Sequence, residues 1–160
     1  MSHDKLPVTQ AIRVLREHEV RFTQHPYTYE ERGGTAVSAR ELGVDEHAVI
    51  KTLIMEDDAK RPMIVLMHGD REVSAKNLAR ALGVKSITPC APNIADKHSG
   101  YQIGGTSPFG TRRPMPVYLQ RSIADLPYLY INGGRRGYLV GMQPAELIRA
   151  LKPTLVDAAA

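Results

Sequence analysis

The stretch from Gly100 to Gly110 constrains the fold more than any other part of the chain. It reads Gly-Tyr-Gln-Ile-Gly-Gly-Thr-Ser-Pro-Phe-Gly, a composition that cannot continue a helix. Tyr101 and Ile103 alternate as in a short strand, so we expect a strand that ends at the glycine pair, followed by a turn at Ser-Pro. Two interpretations remain open. The stretch is either a tight connection between strands or a loop that turns its backbone N–H groups toward a ligand.

Short apolar runs and amphipathic helical patterns alternate along the rest of the chain. The runs Thr52–Met55 and Met63–Met67 predict a buried hairpin, and we expect Thr35 and Asp45 to cap helical turns. The tail at Ala158–Ala160 is expected to fray. The predicted helices cover Pro7–His18, Ala36–Leu42, the segment between Ser74 and Gly83, Pro92–His98 and Pro144–Leu151. The predicted strands cover Arg21–Tyr29, the two hairpin runs, Ser86–Thr88, Pro116–Leu119, Tyr128–Ile131 and Gly137–Val140.

This order of elements predicts the fold class. Hairpins mixed with helical excursions are typical of an α/β domain with a central mixed sheet, which we expect to be curled, and with helices packed around it. No linker or repeat divides the sequence, so we expect residues 1–160 to form one domain.

Composition indicates the compartment of the protein and the charge of its partner. Cys90 is the only cysteine, so no internal disulfide can form, and we expect a reducing, cytoplasmic compartment. No signal sequence or apolar run of about 18 residues is visible, and we expect no membrane insertion. The net charge of +4 is compatible with a polyanionic partner.

Two arginine pairs stand beside the most permissive turns. Arg112-Arg113 follows the glycine-rich stretch, and Arg135-Arg136 follows Gly133-Gly134. This placement favours a ligand that carries phosphate groups. The alternative interpretation is that all four arginines are solvated turn residues.

Common catalytic and metal-binding patterns are missing from the sequence. The histidines show no i,i+4 pairing or cysteine neighbour that would complete a metal site, so we expect neither metal nor cofactor. No Gly-x-Ser-x-Gly elbow is present, because a proline follows Ser107. Lys51 is the exception, since it stands at the entrance to an apolar strand. It could hold a phosphate or hydroxyl there, or serve as a gatekeeping charge on an edge strand.

Four motifs in this order resemble the YbaK family of aminoacyl-tRNA deacylases, which is related to the editing domain of bacterial prolyl-tRNA synthetase. They are His25-Pro26-Tyr27, Lys51-Thr52-Leu53, the Gly100–Gly110 stretch and Asn132-Gly133-Gly134-Arg135-Arg136-Gly137. The resemblance runs from about Val8 to Leu151. It implies an α/β fold with a mixed sheet, and hydrolysis of the ester that joins a wrong amino acid to transfer RNA.

The resemblance also implies site residues. Lys51 matches the family's essential lysine, which engages the acceptor end, and Gly104 matches its backbone contact to the reacting ester. The remaining pocket positions implied are Tyr27, Thr52, Gly105, Thr106, Ser107, Asn132 and Leu139. The four arginines would then hold transfer RNA phosphates. The expected partners are the acceptor end of a mischarged transfer RNA and, as a candidate, prolyl-tRNA synthetase.

Two positions depart from the cysteine-specific members of the family. Asn132 replaces a serine and Leu139 replaces an aspartate, so we expect a pocket that favours a small, less polar amino acid. Asn132 could still form a hydrogen bond with a small hydroxyl or an amino group of the substrate. A competing hypothesis is a non-catalytic module that uses the same pocket to bind nucleotide or transfer RNA.

Overall fold

The computed structural model describes residues 6–160 and combines helices with one mixed sheet. Within these residues, the α-helices are α1 (Gln10–Glu17), α2 (Gly34–Leu42), α3 (Ala75–Leu82), α4 (Pro92–Ser99) and α5 (Pro144–Leu151), and short 3-10 turns cover Glu46–Ala48 and Arg121–Asp125. The strands are β1 (Thr23–Pro26), β2 (Val49–Asp57), β3 (Pro62–His68), β4 (Ile87–Pro89), β5 (Val117–Gln120), β6 (Leu129–Arg135), β7 (Tyr138–Met142) and β8 (Thr154–Val156). The predicted α/β class is therefore confirmed.

The strands form a single open sheet in the order β1-β7-β6-β2-β3-β5-β8, with β4 paired to β2. The predicted hairpin is confirmed, because β2 and β3 are antiparallel with Ile54 opposite Ile64. Parallel pairing joins β2 to β6, β3 to β5 and β5 to β8. The sheet is mixed, and β2 lies near its centre.

Helices cover both faces of the sheet, which explains why all seven residues of β3 are buried. Ile64 and Leu66 join the core that contains α1 and α5. Met63, Val65 and Met67 point to the opposite face and join the core that contains α3. Side chains on a strand alternate between faces, so only a strand covered on both sides can be apolar throughout.

Most predicted helix ends are confirmed. The Ser74 hydroxyl accepts a hydrogen bond from the Asn77 N–H at the start of α3, and Gly83 ends this helix. Pro92 and Pro144 occupy the first turns of α4 and α5, where a missing N–H costs nothing. Within residues 6–160, no helix combines the length and apolar character needed to cross a membrane.

Three local predictions are wrong. Tyr101–Ile103 forms no strand, because the Tyr101 N–H bonds the Ser99 hydroxyl and its phenol bonds the Phe109 carbonyl within the loop. Thr35 does not cap α2. The N-cap residue is Gly33, and the Thr35 hydroxyl instead bonds the Glu46 carboxylate.

The third correction concerns the tail, which is docked rather than frayed. Ala158 is fully buried, and the amides of Ala158 and Ala159 both donate to Oε1 of Gln120. Ala159 also forms a bridge with Val73. Side-chain acceptors that lie far away in sequence therefore fix a segment that has no helix or long strand of its own.

Candidate active site

A cavity of about 760 Å³ opens where β2 and β6 separate. The parallel pairing of these strands ends at Ile50 and Ile131, and the next residue on each strand, Lys51 and Asn132, lines the cavity. The first turn of α2 and the loop around Gly104 complete the wall. A volume of this size is typical of small-molecule sites.

Lys51 lies on β2, which is not an edge strand of the sheet. It pairs with Met67 of β3 on one side, whereas the pairing with β6 on the other side ends at Ile50, so Lys51 stands where the strand opens onto the cavity. The side chain is 19% exposed, and its ammonium lies 3.5 Å from Oε1 of Glu72, which is 87% exposed. Such a long contact to an exposed carboxylate is weak. The ammonium therefore keeps donors for a ligand in the cavity.

The backbone of the Gly104 loop lies too close to Tyr29 and to the turn between β6 and β7 to leave room for side chains at Gly104 and Gly105. Gly104 has φ of +87°, and a Cβ there would lie 2.7 Å from the Tyr29 hydroxyl. A Cβ on Gly105 would lie 2.7 Å from the backbone nitrogen of Arg136. The Gly105 N–H bonds the Gln102 carbonyl at 2.8 Å. The Gly104 N–H has no hydrogen-bond partner among residues 6–160, so it can donate to a ligand.

Asn132 holds this loop against the turn between β6 and β7. Its Oδ1 accepts hydrogen bonds from the amides of Gly134 and Arg135, at 2.6 and 3.0 Å. Its Nδ2 donates to the Gly104 carbonyl at 3.2 Å. Most of the polar capacity of Asn132 is thus used inside the protein, and its main effect is to orient Gly104.

The other lining residues combine apolar surface with hydroxyl groups. Leu139 is 4% exposed and packs in one cluster with Tyr27. Burial raises the pKa of the Tyr27 phenol above its ordinary value, so Tyr27 is a hydrogen-bond donor at neutral pH. The Thr52 hydroxyl is buried and has no partner among residues 6–160. Thr106 bonds the Gln102 carbonyl only weakly, at 3.5 Å.

Two of the expected pocket residues do not line the cavity. Gly105 lies behind Gly104, against the backbone of Arg135 and Arg136. Ser107 is fully buried, and its hydroxyl accepts a hydrogen bond from the Phe109 N–H at 3.1 Å. Their contacts are those of residues that shape the loop.

The two arginine pairs occupy different surroundings. Arg136 lines the cavity, with its guanidinium carbon 5.1 Å from the centre of the Tyr29 ring and its Nε bonded to the Ile103 carbonyl at 2.9 Å. Arg135 is exposed beside it. Arg112 and Arg113 are exposed outside this cavity, and Arg113 lines a second cavity of about 410 Å³.

The acidic side chains of the cavity were missed by the sequence reasoning. Glu30, Glu31, Glu46 and Glu72 all contribute to its lining. The Thr35 hydroxyl donates to Oε2 of Glu46 at 2.8 Å. A signal was present in the sequence, because two of the four acids, Glu30 and Glu31, are separated from the Gly33-Gly34 break only by Arg32.

A histidine cluster lies near the cavity, although the sequence spacing did not predict one. The rings of His47 and His68 stack with centres 3.7 Å apart, and Nδ1 of His47 lies 2.8 Å from Oδ1 of Asp70. Nδ1 of His68 donates to the His47 carbonyl at 2.7 Å, and Nε2 lies 2.7 Å from the Ser122 hydroxyl. Both ring nitrogens of His68 are thus occupied. His47, His68 and Asp70 therefore form a hydrogen-bonded network that is poorly suited to bind a metal ion.

Comparison with known proteins places the chain in a family. The model of the aminoacyl-tRNA editing domain matches residues 30–150. A protein of Enterococcus faecalis named as a candidate Cys-tRNA(Pro)/Cys-tRNA(Cys) deacylase, EbsC, is 26% identical over 141 residues, which cover 88% of this chain and 86% of that protein. The proline–tRNA ligase of Streptococcus equi subsp. zooepidemicus is 29% identical over 104 residues, 64% of this chain but only 17% of the ligase.

Solved structures show the same fold. The crystal structure of a protein described as a candidate trans-editing enzyme for prolyl-tRNA synthetase superposes with a TM-score of 0.82 at 20% identity, covering 97% of this chain and 99% of that one. A hypothetical protein superposes with a TM-score of 0.86 at 22% identity, covering 94% and 99%. The match to the family model spans most of the chain and includes Lys51, Gly104, Asn132 and Leu139. The chain belongs to the aminoacyl-tRNA editing domain family.

Proposed function

We propose that this protein is a trans-editing hydrolase that cleaves the ester bond of mischarged aminoacyl-tRNA. The observation that carries the proposal is the cavity at the separation of β2 and β6, which brings the Lys51 ammonium and the Gly104 backbone into one lining. In an editing-domain family, these two groups supply what ester hydrolysis requires, namely a cation and a backbone donor. The proposal places the protein in the cytoplasm, where transfer RNA is charged.

The chemistry needs few protein groups. A water oxygen adds to the ester carbonyl carbon, the bond from that carbon to the ribose oxygen then breaks, and a proton from the water ends on the ribose hydroxyl. Negative charge develops on the carbonyl oxygen, where the free Gly104 N–H can donate. One such donor contributes about 100- to 1,000-fold in rate. A neighbouring ribose hydroxyl of the substrate can assist the water, so no catalytic triad is required.

Lys51 and Thr52 are proposed to hold the terminal ribose. The ammonium offers up to three donors, and the buried Thr52 hydroxyl has no partner among the described residues. An unpaired buried hydroxyl costs roughly 1–3 kcal/mol, and a ribose hydroxyl would offset that cost. Tyr27 and Thr106 add a phenol and a hydroxyl to the lining of the same cavity.

The amino acid side chain is proposed to pack on Leu139. This buried leucine gives the cavity an apolar wall where cysteine-specific relatives have an aspartate, and Asn132 is turned toward the loop. We therefore propose alanine, serine or another small residue as the amino acid removed. A separate editing enzyme is needed because one methylene changes binding by only about 1–3 kcal/mol, which is too little for a synthetase to reject near-isosteres.

The phosphates of the acceptor end are proposed to contact the arginines. Arg136 lies at the mouth of the cavity with its Nε fixed, which leaves its terminal nitrogens for a phosphate. Arg135 lies beside it, and Arg112 and Arg113 would meet more distant phosphates. Prolyl-tRNA synthetase is the proposed partner that supplies the mischarged transfer RNA.

A second candidate function is non-catalytic binding of transfer RNA or nucleotide. It is favoured by one observation, since no histidine or cysteine within residues 6–160 lines the cavity. The two functions are separated by the number of turnovers. A panel of mischarged transfer RNAs is incubated with enzyme at one-hundredth of the substrate concentration. Release of more amino acid than enzyme supports the hydrolase, whereas binding without release supports the alternative.

A further inference from the structure

The cavity lining carries both signs of charge. Its cations include Lys51 on β2 and Arg136 beside the glycine-rich loop, and Glu46 lies beside the first turn of α2. An aminoacyl ester of transfer RNA also carries both signs, because its phosphates are anionic and its α-ammonium is cationic. A cavity that binds this ester needs an anionic acceptor for the ammonium.

We infer that Glu46 binds the α-ammonium of the aminoacyl group and thereby selects a charged amino acid ester. This inference rests on the proposed function. The Thr35 hydroxyl fixes one oxygen of the Glu46 carboxylate at 2.8 Å, which leaves the other oxygen to accept from a ligand. Glu46 is partly buried, and it forms no ion pair among residues 6–160.

The other acids of the cavity fit this role less well. Glu30 is exposed and pairs with Arg40 at 2.9 Å. Glu72 is 87% exposed and contacts Lys51. Glu31 is exposed and has no side-chain hydrogen bond among the described residues. Glu46 alone combines partial burial, a fixed orientation and an unneutralised charge.

Glu46 and Lys51 lie close to one another in the cavity wall. The Thr35 hydroxyl, which donates to Glu46, lies 3.2 Å from the Gly69 carbonyl, and the Gly69 N–H bonds the Val49 carbonyl at 2.7 Å. Val49 precedes Lys51 by two residues on β2, and both residues line the cavity. An acid and a cation therefore share one ligand-sized space.

The test compares a charged ligand with its neutral counterpart. The probes are 3′-alanylamino-3′-deoxyadenosine, which cannot be hydrolysed, and the analogue with lactate in place of alanine, where a hydroxyl replaces the ammonium. Glu46→Gln keeps the size of the side chain and an acceptor for Thr35 but removes the charge. We expect at least tenfold weaker binding of the alanyl probe and less than twofold change for the lactyl probe, both measured by calorimetry.

The control variant is Glu41→Gln, which removes one carboxylate from α2 outside the cavity. It should change neither affinity by more than twofold. Equal losses for both probes in Glu46→Gln would make Glu46 a structural residue and overturn the inference, and so would unchanged binding of the alanyl probe. The readout involves no catalysis. Failure of the hydrolase proposal therefore appears as absent turnover by the wild type, independently of the Glu46 result.

Discussion

At the residue scale, the role of Lys51 can be tested by truncation. Lys51→Ala should lower deacylation at least 100-fold, the scale expected when a charged positioning or transition-state contact is lost. Folding should remain nearly intact, because the only ion pair of Lys51 among residues 6–160 is a long one to an exposed glutamate. The measurement is kcat/KM on a substrate that the wild type cleaves, together with a thermal melt.

The matched control is Lys76→Ala, which removes an exposed lysine from α3. It should leave the rate within twofold of the wild type. A Lys51→Ala enzyme that retains activity within a few-fold would show that the ammonium is dispensable.

Leu139 tests the choice of amino acid. Leu139→Asp should shift the preference toward cysteine, because it replaces apolar surface worth up to about 2 kcal/mol with an anionic acceptor. The leucine is 4% exposed, so the melting temperature should fall as well. Relative rates on cysteinyl, alanyl, seryl and threonyl substrates are compared within each protein, so lower stability does not affect the ratios. A wild type that prefers cysteine by tenfold, about 1.4 kcal/mol, would contradict this account.

At the scale of elements, His68 connects the end of β3 to two neighbouring turns. It is fully buried, and burial lowers its pKa below the ordinary value of 6.5. Between pH 6.5 and the lower pKa of His68 in the folded protein, the unfolded chain therefore binds more protons than the folded one. The free energy of unfolding falls as the pH drops through this window. His68→Asn should reduce this loss. Urea denaturation at pH 7.5 and pH 5 measures the difference.

The control for this prediction is His18→Asn, which changes an exposed histidine after α1. The loss of stability that depends on His68 should persist in this variant, because His68 is unchanged. If His68→Asn loses as much stability on acidification as the wild type does, another group accounts for the acid sensitivity.

The contact between the glycine-rich loop and the β6–β7 turn can be tested by substituting Gly105. In Gly105→Ala, the new Cβ would meet backbone atoms 2.7 and 2.8 Å away, so the loop and the turn must separate. We expect destabilisation of about 2 kcal/mol, together with at least tenfold lower activity, because Gly104 moves with its neighbour. Gly43→Ala adds a Cβ in open space and should cost only about 1 kcal/mol. Equal costs in thermal melts would contradict the close approach.

Sequence reasoning predicted those features that depend on local patterns. Helix ends are marked by the chemistry of Ser74, Pro92 and Pro144, and the apolar runs of β2 and β3 are visible in a short window. Features that depend on distant partners were not visible. Thr35 had the chemistry of a cap, yet its hydroxyl bonds Glu46, and the tail is fixed by Gln120 from β5.

The candidate site likewise contains residues that could be predicted from the sequence and residues that could not. The family resemblance pointed to Lys51, Gly104, Tyr27 and Thr52, and the structure places all four around one cavity. It did not point to Glu46. This residue lies in the turn after α2, and only the packing of the chain brings it next to Thr35 in the first turn of α2. Nor could spacing show that the polar atoms of Asn132 bond to the loop.

At the scale of the whole molecule, the positive charge predicts salt-dependent binding of transfer RNA. Each phosphate contact that is lost should reduce the slope of log K against log salt by about 0.7–0.9. Neutralising Arg135 and Arg136 together should flatten the slope by more than neutralising Arg112 and Arg113, because Arg136 lines the cavity. Filter binding between 50 and about 200 mM salt provides the measurement.

A charge-matched variant in which Lys76 and Arg80 on α3 are neutralised serves as the control, since both side chains are exposed away from the cavity. It should keep the slope of the wild type. An unchanged slope in the variants of both arginine pairs would assign these residues to solvated turns.

Multiple-turnover deacylation tests the proposed hydrolase activity directly. Wild-type protein is mixed with a large excess of transfer RNA charged with alanine, serine or cysteine, and with correctly charged prolyl-tRNA as the reference. We expect many turnovers on at least one small amino acid, little hydrolysis of the prolyl ester, and a loss of at least about 100-fold in Lys51→Ala. Amino acid release that never exceeds the spontaneous rate for any of these substrates would contradict the proposed activity.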